Sequence, residues 1–542
     1  MTAVRTPGGI RRVSRTNRTI ASVALAFTLV AVTAACSSSG NSSADQGSGN
    51  SSATTQAASV APLPGLSAIR GPEARVVDDK GRQVLLRGVN LNVLGDYFQA
   101  NAKYPSVIPA TDSDWAEMAA DGFNVVRLLV SWSALEPTKG AFDTAYVARI
   151  HEAVNAAKAH GIYVVLDMHQ DAYGKFVASP VGTTCPDPAK PGIGWDGAPE
   201  WATITGGADT CAAVGVRELA PAVMKAFDNF YADTDGIQTE LTKTWASLAG
   251  EFATEPAIAG YDLFNEPNWG TDSDSSGAKL GAFTQKTIAA IRSAETAAGG
   301  TSHIAFFEPV VLWPKQGTLP PVASISDPNV VFAPHGYNDS IQGGTNAEGF
   351  ASAAASAATY GTTFWIGEYG WFGTPAADAV KVTQYAAQED QYRVGGAWWQ
   401  WKQACGDPHS VGARDAEPPP ALVHLHHTTC PGDVNGGPVT EFVTILSRAY
   451  PRFAPGQLTN LTSDPATGVF SISGAATSAD GGSDLDVWIP DGGRGKPTLS
   501  GCGLGPIDIQ MVDGGYRATA AVQGPKYTMT SGANATGSTL TC

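Results

Sequence analysis

The chain has 542 residues, too many for one ordinary core, which points to about three domains or one large domain with additions. Hydrophobic residues make up 43% and charged residues 15%, a balance that excludes wholesale disorder. The 34 basic residues stand against 50 acidic ones, net -16, which excludes a nucleic-acid backbone as partner because phosphate binding needs a basic footprint.

Residues 1–36 hold five arginines, Arg5, Arg11, Arg12, Arg15 and Arg18, and no acid, so the rest of the chain carries -21. A basic start followed by the apolar run 20–35 reads as a secretion signal. That run has 16 residues, short of the roughly 20 that span a bilayer. It ends in Thr33-Ala34-Ala35-Cys36. Small residues before a cysteine resemble the bacterial lipobox, with Cys36 as the lipidation site; plain cleavage near Ala35 is the alternative. Residues 37–68 read as a tether, because a Ser/Ala/Gly/Thr-rich stretch buries too little apolar surface to fold. The expectation is an exported protein, either a lipoprotein on the outer face of the cell membrane or a secreted one. Six cysteines remain once Cys36 is set aside. An even number in an exported chain implies disulfides. Sequence proximity suggests Cys185–Cys211, Cys405–Cys430 and Cys502–Cys542, one choice among many. No CxxC spacing points to zinc.

Residues 69–452 alternate short β-rich runs with helical ones. Strands are predicted over 84–90, 124–131, 163–168, 260–265, 303–308, 330–334, 364–368 and 396–401. Near-continuous apolar runs such as Tyr163-Val164-Val165-Leu166 suit strands buried on both faces. Helical spacing joins Val147, Ile150, Val154 and Ala157, then Leu241, Trp245, Leu248 and Phe252. It recurs at Val382, Tyr385, Glu389 and Tyr392, and at Val439, Phe442 and Leu446. Gly161 is a helix stop before the third strand. The Pro-rich stretch 310–324 shows no helix. Eight strands alternating with helices predict an α/β protein, a (β/α)8 TIM barrel with enlarged loops. A doubly wound open sheet is disfavoured because no strand leads into a Gly-rich phosphate loop. Residues 453–542 predict a C-terminal antiparallel β-sandwich, from the alternations Phe470/Ile472, Leu485/Val487/Ile489 and Ile507/Ile509/Met511.

In such a barrel the active site lies at the C-terminal ends of the strands. There the sequence sets Arg127 on strand two and Asp167-Met168-His169-Gln170-Asp171 at the end of strand three. Asn265-Glu266-Pro267 ends strand four, and His335-Gly336-Tyr337 follows strand six. Glu368 ends strand seven, while Trp398, Trp399 and Trp401 lie on strand eight. Glu266 and Glu368 form the key pair. Glycosidic cleavage needs one carboxylic acid to protonate the leaving oxygen and one carboxylate to attack or activate water. Two acids in surface ion pairs are the bland alternative, weakened by the aromatics around both.

Leu263-Phe264-Asn265-Glu266-Pro267 and Ile366-Gly367-Glu368-Tyr369-Gly370 resemble the catalytic strands of glycoside hydrolase family five, clan A. The resemblance is tighter to the endoglycoceramidases. Leu166-Asp167-Met168-His169-Gln170-Asp171, Gly197-Ala198-Pro199-Glu200-Trp201-Ala202-Thr203 and Val223-Met224-Lys225-Ala226-Phe227-Asp228-Asn229-Phe230 carry it. It implies Glu266 as acid/base and Glu368 as nucleophile of a retaining mechanism. It implies Asn265 as ligand of the sugar 2-OH and Tyr337 as the phenol that orients the nucleophile. Arg127 would keep that carboxylate ionised. His169, Asp171 and His335 would bind sugar hydroxyls. Trp399 and Trp401 share a predicted strand face, and Trp401 is the favoured sugar platform. Glu266 should be held protonated and Glu368 ionised by their different surroundings. A retaining mechanism also predicts carboxyls about 5–5.5 Å apart. The endoglycoceramidases carry a lysine in the loop after strand one. Here the candidate is Lys103, and the loop is no obvious match, so selectivity for glucose or galactose stays open.

The expected function is therefore a retaining endo-β-glycosidase that separates oligosaccharide from ceramide in glycosphingolipids. Its partners are a glycolipid or oligosaccharide and a membrane, reached by lipid anchor or substrate contact. The protein is expected to be a monomer, and hydrolysis needs no cofactor. The alternatives are an endo-β-glycanase of the same family acting on cellulose- or mannan-like chains, and a non-catalytic glycan-binding surface lipoprotein. His424-Leu425-His426-His427 falls in a predicted loop, which argues against a metal site. Trp195, Trp201, Phe227 and Phe230 could line a lipid slot; for Phe227 the core is the simpler place.

Overall fold

The computed structural model describes residues 62–477, 483–532 and 542. The signal, Cys36 and the tether up to residue 61 lie outside the described residues. Eight parallel strands form one sheet, numbered here β1 to β8. They are β1 (Gly88–Leu91), β2 (Val125–Ser131), β3 (Tyr163–His169) and β4 (Ile258–Asp262). The circle continues with β5 (Ile304–Phe307), β6 (Val330–Phe332), β7 (Ile366–Tyr369) and β8 (Gly396–Trp398). β8 pairs with β1, and a parallel bridge from Phe332 to Phe364 joins β6 to the run into β7. The sheet thus closes into a barrel.

Alternation within β2 and β3 sorts their side chains. Val126, Leu128, Val130, Val164, Leu166 and Met168 point outward to the helices. Val125, Tyr163 and Val165 point inward and form the floor with Ala259, Ile304 and Trp365. Arg127 and Asp167 lie one step further along the inward rows. The helix Thr144–Ala159 buries Val147, Ile150, Val154 and Ala157 as its spacing requires, and Gly161 follows its cap at φ 70°. Between β5 and β6 there is only one 3-10 turn, Val322–Ser324, as the proline content predicts.

The domain boundaries differ from the expectation. Leu66–Ile69, Arg75–Asp78 and Gln83–Val84 join a seven-stranded antiparallel sheet with Tyr450–Ala454, Asp484–Pro490, Gly515–Ala521 and Asp508–Val512. So residues 66–84 belong to the β-sandwich rather than to the tether or the barrel. The boundary at 452 falls inside a strand. The predicted strand 84–90 is divided between the two layers. Leu85 enters the sandwich core while Leu86 joins the barrel floor. Leu63 and Leu66 also close that floor, aided by the Tyr163 hydroxyl donating to the Pro64 carbonyl at 2.9 Å. The opposing sheet holds Gln457–Ser463, Phe470–Ala475, Lys526–Ser531 and Leu499–Cys502. Phe470, Ile472, Leu485, Val487 and Ile489 fill the space between the sheets, whereas Met511 is exposed on an edge strand.

The three expected disulfides are present: Cys185–Cys211, Cys405–Cys430 and Cys502–Cys542. The segment after β8, expected as a plain loop, folds into a small three-stranded meander, Ala421–Val423, His426–Thr429 and Val434–Pro438. His426 there bonds Asn435 and packs on Trp401.

Trp488 ties barrel to sandwich. Its indole donates to the Ser447 carbonyl at 3.0 Å, and its ring covers Gly122, which sits at φ 81°. A Cβ at residue 122 would lie 2.2 Å from the indole nitrogen. Gly122→Ala combines a left-handed backbone penalty with overpacking and should cost about 2–4 kcal/mol. Chemical denaturation checks this; a loss under about 0.5 kcal/mol would show that the seam is soft.

Candidate active site

Arg127 is fully buried inside the barrel mouth. Its Nε donates to Asp262 at 2.9 Å, and Nη1 donates to Asn90 at 3.1 Å and Glu368 at 2.8 Å. Nη2 donates to Asn265 at 2.9 Å and Glu308 at 3.0 Å, with Asp167 also at 3.0 Å. Burial works against the cation, but the charges of Asp167, Asp262, Glu368 and Glu308 outweigh it and raise its pKa.

Glu368 and Glu266 face each other beside this hub. Glu368 accepts from Arg127 on Oε1 and from the Tyr337 hydroxyl on Oε2 at 2.8 Å. Glu266 Oε1 pairs with His335 Nδ1 at 2.8 Å, and Arg217 lies 3.7 Å from its Oε2. A carboxylate oxygen of each glutamate and a His335 ring nitrogen all lie within 4.8 Å of one another. Glu266 sits at φ 36°, a left-handed conformation rare outside glycine. Its N–H donates to Glu308 Oε2 at 2.9 Å, and Gln170 donates to its carbonyl at 3.0 Å. Asn265 is held at both ends, by Arg127 and by the Gln170 carbonyl at 3.0 Å.

The directions of the pKa shifts run against the expectation. Burial would lower the His335 pKa, yet Glu308, Glu368 and Glu266 hold it well above the usual range. Burial would raise Glu266, but the His335 hydrogen bond and charge hold it below. Burial raises Glu368, helped by Glu266 and opposed by His335 and Arg127. These opposed shifts favour an ion pair between His335 and Glu266.

The rim comes from the end of β3 and from long loops. His169 bonds Asp167 at 2.8 Å and stacks on Trp399 with centroids 5.5 Å apart. Asp171 lies 2.6 Å from Arg217, 3.4 Å from His169 and 3.2 Å from His409. Burial would raise Asp171, but Arg217 and the two histidines hold it well below the carboxylate range. Trp195 flanks both cations: Arg217 lies 4.4 Å over its ring and His409 4.6 Å away. Arg217 follows the Cys185–Cys211 bridge, and His409 lies just inside the Cys405–Cys430 bridge. One cation thus reaches Asp171 from just beyond one disulfide-closed loop and the other from within the second.

Trp401 does not serve as the platform. Its indole donates to Asp114 at 3.0 Å and its ring is buried in the helical layer. β8 ends at Trp398, so strand alternation does not extend to residue 401. Trp399 is the tryptophan on the pocket side, with Tyr97 and Tyr337. Lys103 also stays outside, in an exposed pair with Glu417. Phe227 and Phe230 are core residues; Trp201 is anchored behind by its bond to the Glu136 carbonyl at 2.9 Å.

The family model described as cellulase (glycosyl hydrolase family 5) matches residues 77–405. The chain belongs to glycosyl hydrolase family 5. Endoglycoceramidase I of Rhodococcus hoagii (strain 103S) is 32% identical over 295 residues, 51% of this chain and 54% of that one. The endoglycoceramidase of Cyanea nozakii is 27% identical over 227 residues, 37% of this chain and 42% of that one. The chain thus spans about half the length of the curated relatives it matches. The solved structure of an endogalactoceramidase is 45% identical, covers 86% of this chain and 100% of its own, and superposes with a TM-score of 0.80. Endo-glycoceramidase II from Rhodococcus sp. with a cellobiose-like isofagomine shares the fold at 23% identity, covering 84% of this chain and 99% of its own, TM-score 0.66.

The family's strand-end logic could have found Glu308, because it follows β5 directly. Asp167 stood inside a recognised motif without a role. Nothing local marked Arg217 or His409, which depend on loop folding.

Two measurements follow. Trp399→Ala should raise KM for a glycoside at least tenfold. Trp401→Phe should leave KM within twofold but cost about 1–3 kcal/mol, because buried Asp114 loses a donor. The reverse pattern in steady-state kinetics and denaturation would reinstate Trp401 as the platform. His409 is the second case: burial lowers its pKa, but Asp407 and Asp171 bring it up to about 9. A histidine raised on folding adds stability that is full below its unfolded pKa and fades as pH rises through the folded one. The stability gap between wild type and His409→Gln should therefore close between about pH 6.5 and 9. A gap independent of pH would refute the charge pairing.

Proposed function

We propose that this protein is a retaining endo-β-glycosidase that hydrolyses the bond between the oligosaccharide and the ceramide of glycosphingolipids. The approach of one oxygen of Glu266 and one of Glu368 to within 4.8 Å carries the reading, because it fits the close spacing of a retaining pair. Glu368 attacks the anomeric carbon while Glu266 gives a proton to the departing ceramide oxygen. Water then adds to that carbon as Glu266 takes back a proton and the Glu368 ester breaks. Arg127 and Tyr337 aim the nucleophile. Asn265, His169 and Asp171 are the ligands for sugar hydroxyls, and Trp399 is the wall they stand against.

The ceramide part rests on the endoglycoceramidases and the endogalactoceramidase among its relatives. The greater likeness to the endogalactoceramidase favours galactose at the reducing end. Incubation with oligosaccharides linked to ceramide through galactose or through glucose, and with a soluble β-glucan, tests this by chromatography. Intact oligosaccharide plus ceramide should appear, faster from the galactose-linked lipid. Turnover of the glucan alone would overturn the reading. Glu368→Gln should lower kcat at least ~10³-fold, and normal activity in that variant would unseat the nucleophile.

A further inference from the structure

Glu308 links both halves of the site and takes no part in the chemistry above. Its Oε1 accepts from Arg127 Nη2 at 3.0 Å and lies 3.2 Å from His335 Nε2, off the hydrogen-bond line. Its Oε2 accepts the backbone N–H of Glu266 at 2.9 Å. His335 thus stands between two carboxyl groups, with Nδ1 on Glu266 and Nε2 toward Glu308. Gly367 of β7 lets the ring sit close: a Cβ there would lie 3.2 Å from Nε2. The other groups facing this ring are Glu368 at 3.4 Å from Nδ1, the Tyr337 phenol and, behind Gly367, Arg127. Arg217 reaches the same cluster through Glu266.

A neutral imidazole carries one ring proton. With Glu308 drawing that proton to Nε2, Nδ1 is left to exchange a second proton with Glu266. We propose that Glu308 is a positioning residue that makes His335 the proton store of Glu266. The inference rests on the glycosidase reading above. As substrate enters, the Nδ1–H bond breaks and an O–H bond forms on Glu266 Oε1. His335 becomes neutral and keeps its Nε2 proton against Glu308. Glu266 then passes its proton to the leaving oxygen. In the second step it takes one from water and can return it to Nδ1.

Glu308→Gln keeps the shape and removes the charge. Two glycosides of one sugar test it, one with an alkyl alcohol as leaving group and one with dinitrophenol, which leaves without protonation. In the variant, kcat/KM should fall at least tenfold more for the alkyl glycoside. The alkaline limb of its pH profile should move down by at least one unit. Equal losses on both substrates with an unmoved limb would reduce Glu308 to packing. A wild type inactive on both substrates would sink the glycosidase reading instead. Nitrogen NMR of the His335 ring tests the inference without turnover or variant: a proton on Nε2 at pH 7 supports it, and an Nε2 without one overturns it.

Discussion

One buried guanidinium organises the mouth of this barrel. Arg127 reaches groups near five strand ends: Asn90, Asp167, Asp262 and Asn265, Glu308 and Glu368. An isolated buried carboxylate is costly, and several together are worse. The planar fork of Arg127 offers five donors in fixed directions, so each acid that satisfies it is also oriented. The cation both permits the acidic cluster and sets its geometry.

The remaining negative charge is met by His335, which is why the two glutamates differ. Glu368 has Arg127 and Tyr337, both fixed donors. Glu266 has a histidine, whose proton can move. The pair is asymmetric in chemistry although both are glutamates in one pocket. Asp171 repeats the pattern at the rim, neutralised by Arg217, His169 and His409. Of these, His409 sits on a loop closed by a disulfide and Arg217 lies six residues past another, so covalent closure limits how far the loops can stray from the pocket.

Much of the fold was legible because its signals are local. Apolar runs of strand length, helical spacing and Gly161 located the barrel elements. Proline content foretold the missing helix before β6. Glu266 and Glu368 were legible because strand ends are where a barrel places its chemistry. The failures were non-local. Residues 66–84 read as tether and barrel because the sheet that holds them is completed only by Tyr450–Ala454, which pairs with Gln83–Val84. Trp401 read as a sugar platform because alternation was carried past the end of β8.

The amino-acid sequence alone determined the succession of strands, the two glutamates and the acidic balance, and it suggested the cysteine pairs. Each is a property of short windows or of counting. Only the tertiary structure decided which tryptophan lines the pocket, which cations reach Asp171 and how His335 stands between Glu266 and Glu308. Those depend on distances of a few ångströms between residues hundreds of positions apart, where burial strengthens every charge and packing sets every direction.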